Sequence, residues 1–174
     1  MSVFVANASP LIAFRQLGQE PLLHALVGTV LIPPAVLREV FHSTPPPVWV
    51  ELRAHTQLPS SVLLSARLGA GEREAISLAL QISDCTLLLD DLAARRTAQT
   101  LGIAVLGTVG LLVQARNRGL LERLQPELDN LLRYGFRISP TVYQAALTQV
   151  HEPCIVLSSP PPYQRWMRCW RRWS

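Results

Sequence analysis

The sequence predicts an α/β domain built on a mainly parallel sheet. Short apolar runs alternate with helix-period segments from Val3 to Val150, and proline or glycine marks most of the changes. Polar residues also stand directly after three of the apolar runs. A chain of 174 residues holds one domain with a substantial core. With 49% apolar but only 6% aromatic residues, that core is expected to be Leu, Val, Ile and Ala.

Val3 to Ala6 reads as a strand, and Ser9-Pro10 as an N-cap serine with proline at the first helical position. That helix carries Leu11, Ile12, Phe14 and Leu17 and stops at Gly18; Pro21 opens a second helix that closes at Gly28. Thr29 to Ile32 is a strand, and Pro33-Pro34 starts a helix through Val36, Leu37, Val40 and Phe41. Residues 43–61, with Pro45-Pro46-Pro47 and Pro59, read as a loop with one helical turn around Val48 to Ala54. Val62 to Leu64 reads as a short strand. Gly69-Ala70-Gly71 leads into a helix from Glu72 to about Ile82. Thr86 to Leu89 is a strongly apolar strand, after which Asp91 is placed to cap a helix ending at Gly102. Ile103 to Leu106 is another strand, and Thr108 caps a helix ending near Gly119. A longer helix covers Leu121 to Tyr134, Phe136 to Ile138 is a last strand, and Ser139-Pro140 opens a helix to Val150.

The sixteen basic residues are all arginine. Residues 1–152 hold twelve of them against twelve acids, so the net +4 belongs to Arg165, Arg168, Arg171 and Arg172. A basic pI therefore says nothing about a basic groove on the domain. The missing lysine disfavours P-loop and Schiff-base or pyridoxal chemistry, and receiver-like and haloacid-dehalogenase-like phosphotransfer. Cys85, Cys154 and Cys169 form neither a disulfide framework nor a zinc pattern, so a reducing cytoplasm is expected. The four histidines are scattered and read as packing. No run approaches the roughly 18–20 apolar residues of a membrane span, and no export signal is read at the N-terminus. The expected boundaries are a domain over 1–152 and a flexible Pro/Arg/Trp-rich tail over 153–174. In the tail, Trp166, Trp170 and Trp173 among arginines could stack on RNA, rest on an anionic membrane or dock loosely.

In an open parallel sheet, ligands bind beyond the carboxyl ends of the strands. Asn7, Asp90-Asp91 and Thr108 all stand there, from distant parts of the chain. Glu72 shares a helix face with Ile76 and Ala79, and Glu39 lies beside Ala35 and Val36, so both acids are candidates to complete the set. Clustered carboxylates persist when protonated or bridged by cations, and an all-oxygen set suits Mg²⁺ or Mn²⁺. Plainer readings stand beside these. Asp91 and Thr108 can be helix caps, Glu72 can serve the helix dipole, and Glu39 can be solvated. Arg95 and Arg96 can steer phosphate or pair with acids. Asp90 is the hardest to explain structurally.

Several segments together resemble a known family. They are Ala6-Asn7-Ala8-Ser9-Pro10-Leu11-Ile12, Ile32-Pro33-Pro34-Ala35-Val36 with Glu39, and Gly69-Ala70-Gly71-Glu72-Arg73-Glu74-Ala75-Ile76. Leu87-Leu88-Leu89-Asp90-Asp91 with Ala94-Arg95, and Val105-Leu106-Gly107-Thr108, complete the pattern. In this order the segments resemble the PIN-domain family, in particular prokaryotic members similar to VapC-type toxin ribonucleases. The resemblance implies a three-layer α/β/α fold, Mg or Mn as cofactor, endoribonuclease activity, a homodimer and inhibition by a small antitoxin protein. It assigns metal ligation to Asn7, Glu39, Glu72 and Asp90, a catalytic place to Asp91 beside them, and supporting positions to Ser9 and Thr108. The chain departs from the family at Asn7, where aspartate is usual; an amide oxygen can ligate a metal but brings no charge. Two further readings stay open. One is a non-catalytic PIN-like scaffold that binds RNA or a protein; the other, a small phosphate-binding α/β domain, lacks a Gly-rich loop after any strand.

Overall fold

The structure, a computed structural model, describes residues 3–54 and 68–153. The described residues fall into two compact units, the first ending at Thr108 and the second beginning at Val109. The first holds β1 (Val3–Ala6), α1 (Ala8–Gln16), α2 (Glu20–Val27), β2 (Val30–Ile32) and α3 (Pro34–Phe41), followed by β3 (Val50–Leu52), α4 (Ala70–Ala79), β4 (Cys85–Leu88), α5 (Leu92–Thr100) and β5 (Ala104–Leu106). Every pairing is parallel, in the order β3-β2-β1-β4-β5. The order runs one way from β1 to β3 and the other way from β1 to β5. The chain therefore reverses between β1 and β4, the point where an open parallel sheet forms its ligand crevice.

Side chains alternate faces along a strand. Val5, Leu31, Cys85, Leu87 and Leu89 turn to one face, where they cluster with Ala75, Ile76 and Ala79 of α4 and Ala94 and Ala98 of α5. Right-handed crossover from β1 to β2 assigns α1 and α2 to the opposite face. That makes the three-layer α/β/α arrangement, and it explains why β4 is apolar on both sides: Leu87, Leu88 and Leu89 are wholly buried. Gly18 and Gly28, at φ +67° and +66°, end α1 and α2 in a backbone region that side chains rarely adopt.

Two expectations in this unit need correction. Ser9 is not a cap: α1 starts at Ala8, with Asn7 in the capping position and Ser9 inside the first turn. The segment expected to hold a helical turn near Val48 instead forms β3, held to β2 by Val30 N–H to Trp49 O at 2.9 Å and Arg53 N–H to Ile32 O at 2.9 Å. Three residues are too few to show a period, and an edge strand tolerates the exposed Glu51 and Leu52. The strand expected at Val62 to Leu64 lies outside the described residues, as does the tail from residue 154.

α6 (Thr108–Asn117) opens on the last residue of the first unit; the second unit adds α7 (Gln125–Arg133) and α8 (Pro140–Gln149). Glu152 ties this unit together. Its carboxylate accepts from Arg116 Nε at 2.7 Å, the Leu124 amide at 2.9 Å and the Gln125 amide at 3.1 Å. Those amides lie at the start of α7, and Pro126 fits its first turn, so the helix begins at Gln125 rather than at the expected Leu121. Tyr143 Oη donates to Asp129 Oδ1 at 2.7 Å between α8 and α7, with both residues buried. Ser139 caps α8, as expected, by accepting the Val142 amide. The strand expected at Phe136 to Ile138 does not form. After Gly135 the Phe136 amide turns back to Leu131 O at 2.9 Å and closes the helix end.

Candidate active site

Asn7 is the first residue past β1. Its amide donates to Leu88 O at 3.0 Å and extends the β1–β4 ladder to the switch point. An asparagine in the capping position ordinarily turns its side-chain oxygen to the helix amides, but Asn7 makes no such bond. The residue is 4% exposed, and Oδ1 is buried with no hydrogen-bond partner. Leaving such an oxygen unpaired costs about 1–3 kcal/mol. A Cβ built on Gly71 would lie 3.1 Å from this oxygen and 3.2 Å from Glu39 Oε2, so both oxygens lie over the same glycine of α4.

Glu39 itself is exposed on α3, and a neighbouring acid sets the position of that helix. Glu74, from α4, accepts the Ala35 amide at 2.8 Å and lies 3.9 Å from Arg38. It therefore places a carboxylate at the positive end of α3. Glu72 turns back to accept the Gly69 amide at 2.7 Å, capping its own helix. A cleft of about 420 Å³ runs between these groups, lined by Asn7, Arg38, Glu39, residues 69–71 and Glu72.

Asp90 lies at the end of β4, just past Leu89. Its Oδ1 accepts the Thr108 amide at 2.7 Å and its Oδ2 accepts Thr108 Oγ1 at 2.6 Å, with Thr108 wholly buried. Burial pushes the Asp90 carboxyl above its ordinary value; the Thr108 bonds and the Arg95 charge oppose this without cancelling it. A Cβ on Gly107 would run into Arg95 Nη1 and would also lie 2.9 Å from Asp90 Oδ1, so both side chains reach over this glycine. Asp91 is exposed and caps α5 by accepting the Ala94 amide at 2.8 Å. Arg96 is exposed, and Ser9 is half-buried within α1.

Asn7, Glu39 and Glu72 thus share one cleft, while Asp90, Thr108 and Arg95 gather at the next strand end. Among the described residues, no three His, Cys, Asp or Glu side chains are grouped to hold a metal ion. The donor chemistry still fits one. The Asn7 and Glu39 oxygens converge with no protein donor on Asn7 Oδ1, and hard divalent cations take such oxygens and complete their shell with water. Sequence reasoning missed three contributors here: Arg38, Gly71 and Glu74. Glu74 is two residues from Glu72 and faces another side of α4, so a search for acids on the apolar stripe passes it over.

Among the described residues, no helix is long and apolar enough to cross a membrane. No curated protein and no solved structure matches the chain. One family model does, over residues 3–152, and its description is a PIN domain. PIN domains are generally nucleases, and those nucleases act on RNA. With 3–152 matched and a five-stranded parallel sheet opening polar groups at its switch point, the chain belongs to the PIN-domain family.

Proposed function

We propose that the chain is a metal-dependent endoribonuclease, the toxin component of a toxin–antitoxin pair, cleaving RNA phosphodiesters with Mg²⁺ or Mn²⁺. The buried Asn7 Oδ1 carries this reading, because an acceptor desolvated without a partner and facing a second acceptor calls for a cation. A bound divalent ion supplies Lewis acidity and a more acidic water. Asn7 and Glu39 would hold it, and Glu72, which now accepts the Gly69 amide, would be the third oxygen ligand available in the cleft. Asp90 is oriented by Thr108, and Asp91 fixes the start of α5 behind it. Arg38, Arg95 and Arg96 bind the phosphate backbone, and Ser9 supports the turn that carries Asn7. A homodimer, a small antitoxin as partner, a prokaryotic cytoplasm and a separable tail over 153–174 belong to the same reading.

The test is cleavage of a mixed RNA by the full chain with Mn²⁺ and with EDTA. Cleavage with Mn²⁺ alone supports the reading. A second reading, a catalytically degenerate scaffold, is favoured by the uncharged Asn7 and by Glu72 serving as a cap. It predicts RNA or protein binding with no cleavage under either condition.

A further inference from the structure

Gly71 is a glycine that its own helix does not require. It is the second residue of α4, and its backbone is not in the left-handed region. Within a helix, glycine costs up to about 1 kcal/mol relative to alanine. What a methyl group would meet accounts for it: Asn7 Oδ1 at 3.1 Å, Glu39 Oε2 at 3.2 Å and Val36 Cγ2 at 3.4 Å. Val36 is wholly buried in the packing between helices, so accommodation would fall on the two oxygens. They come from different elements, the end of β1 and the exposed side of α3, and converge on this bare Cα. Asn7 Oδ1 is desolvated and unpartnered there, so the space is not filled by hydrogen bonding within the protein.

We propose that Gly71 is a positioning residue: its missing side chain keeps open the space shared by Asn7 Oδ1 and Glu39 Oε2, where one hydrated divalent cation is taken up. This rests on the reading of the chain as a metal-dependent nuclease. A methyl group at residue 71 presses on both oxygens and takes up space beside them, so the ion is held less well, while the helix itself gains. The substitution therefore acts with opposite signs on folding and on metal binding, which a merely structural glycine would not do.

The experiment uses the full chain with Mn²⁺ alone as probe. Thermal melts in EDTA and in Mn²⁺, with calorimetric titration, compare the parent with Gly71→Ala, Glu39→Ala and the double variant. In EDTA, Gly71→Ala is expected to melt at or above the parent. Its Mn²⁺ affinity is expected to fall about 10–100-fold, as for groups that orient metal ligands, and the metal-induced rise in Tm to shrink with it. In the Glu39→Ala background the same substitution should change affinity far less. If Gly71→Ala melts lower in EDTA, Asn7→Ala is made alone and in combination; a smaller loss from Gly71→Ala in the Asn7→Ala background than in the parent shows that the methyl meets Asn7 as proposed, and an equal loss overturns the proposal. Undiminished Mn²⁺ affinity in Gly71→Ala overturns it while leaving the nuclease reading intact. If the parent binds no Mn²⁺, the nuclease reading itself falls, and the proposal with it.

Discussion

Glu152 in the second unit and Asp90 at the end of β4 are both partly buried carboxylates, and they are treated in opposite ways. Burial pushes Glu152 up, but the Leu124 amide, Arg116 and the Gln125 amide outweigh it and hold the carboxyl below its ordinary value. Asp90 receives donors from Thr108 and the charge of Arg95, yet burial still wins and its carboxyl stays raised. Asn7 goes further, with a buried oxygen that has no donor at all. Where the fold needs a carboxylate as a clamp, it supplies enough donors to stabilise the charge. At the proposed site, it leaves oxygens short of positive partners, which lowers stability and on this reading suits them to a cation.

The comparison breaks most visibly at Asp90. Asp90→Asn keeps an acceptor for the Thr108 amide and is expected to fold, while Mn²⁺-dependent RNA cleavage drops to background. Undiminished cleavage by this variant would remove Asp90 from the site. Its stability in EDTA sharpens the point. The folded state binds the Asp90 proton more tightly than the unfolded state does. Asp90 therefore lowers stability progressively as pH rises from the ordinary value of 3.8 through the higher folded one. Urea melts across that window should show Asp90→Asn losing less stability than the parent.

Glu152 should behave in the reverse sense. Glu152→Gln is expected to cost about 1–3 kcal/mol in urea melts near neutral pH, because Arg116 loses its ion pair and the α7 amides lose a charged acceptor. Here the folded carboxyl holds its proton less tightly than the unfolded one. The stabilisation is present above the ordinary value of 4.5 and is lost as pH falls through the lower folded value. Parent and variant should converge at acid pH; a constant gap across the range would show that the charge is not what stabilises the clamp. The smallest effect is expected from truncation after Glu152, which leaves the clamp intact. The Tm should hardly move, and any lost RNA affinity should be strongly salt-dependent. A large fall in Tm would show that residues 153–174 pack on the domain.

The contrast between the two carboxylates also marks what the sequence could disclose. Strand ends are legible because an apolar run followed by a polar residue is a local pattern; Asn7, Asp90 and Thr108 were found in that way. The cap made by Asp91 was legible for the same reason. Glu152 carried no such signal, since its partners lie 27, 28 and 36 residues away along the chain. Gly71 and Glu74 matter through contacts with α1's start and α3 that no spacing rule predicts. Val50–Leu52 and Leu121–Leu124 were misread because hydrogen bonds to distant residues overrule weak local preference there, and Phe136–Ile138 because the Phe136 amide is taken by the helix end at Leu131.

The central claim is that Asn7 Oδ1 stands at a cation position one charge short. Calorimetric titration with Mn²⁺ of the parent and of Asn7→Asp, with melts in EDTA, tests it most directly. The added carboxylate should tighten Mn²⁺ binding, raise cleavage at low metal concentration and, without metal, lower Tm at neutral pH by burying a further unpaired charge near Glu39. If Asn7→Asp changes neither Mn²⁺ affinity nor metal-free stability, Asn7 is not part of a cation site, and the account fails at its first residue.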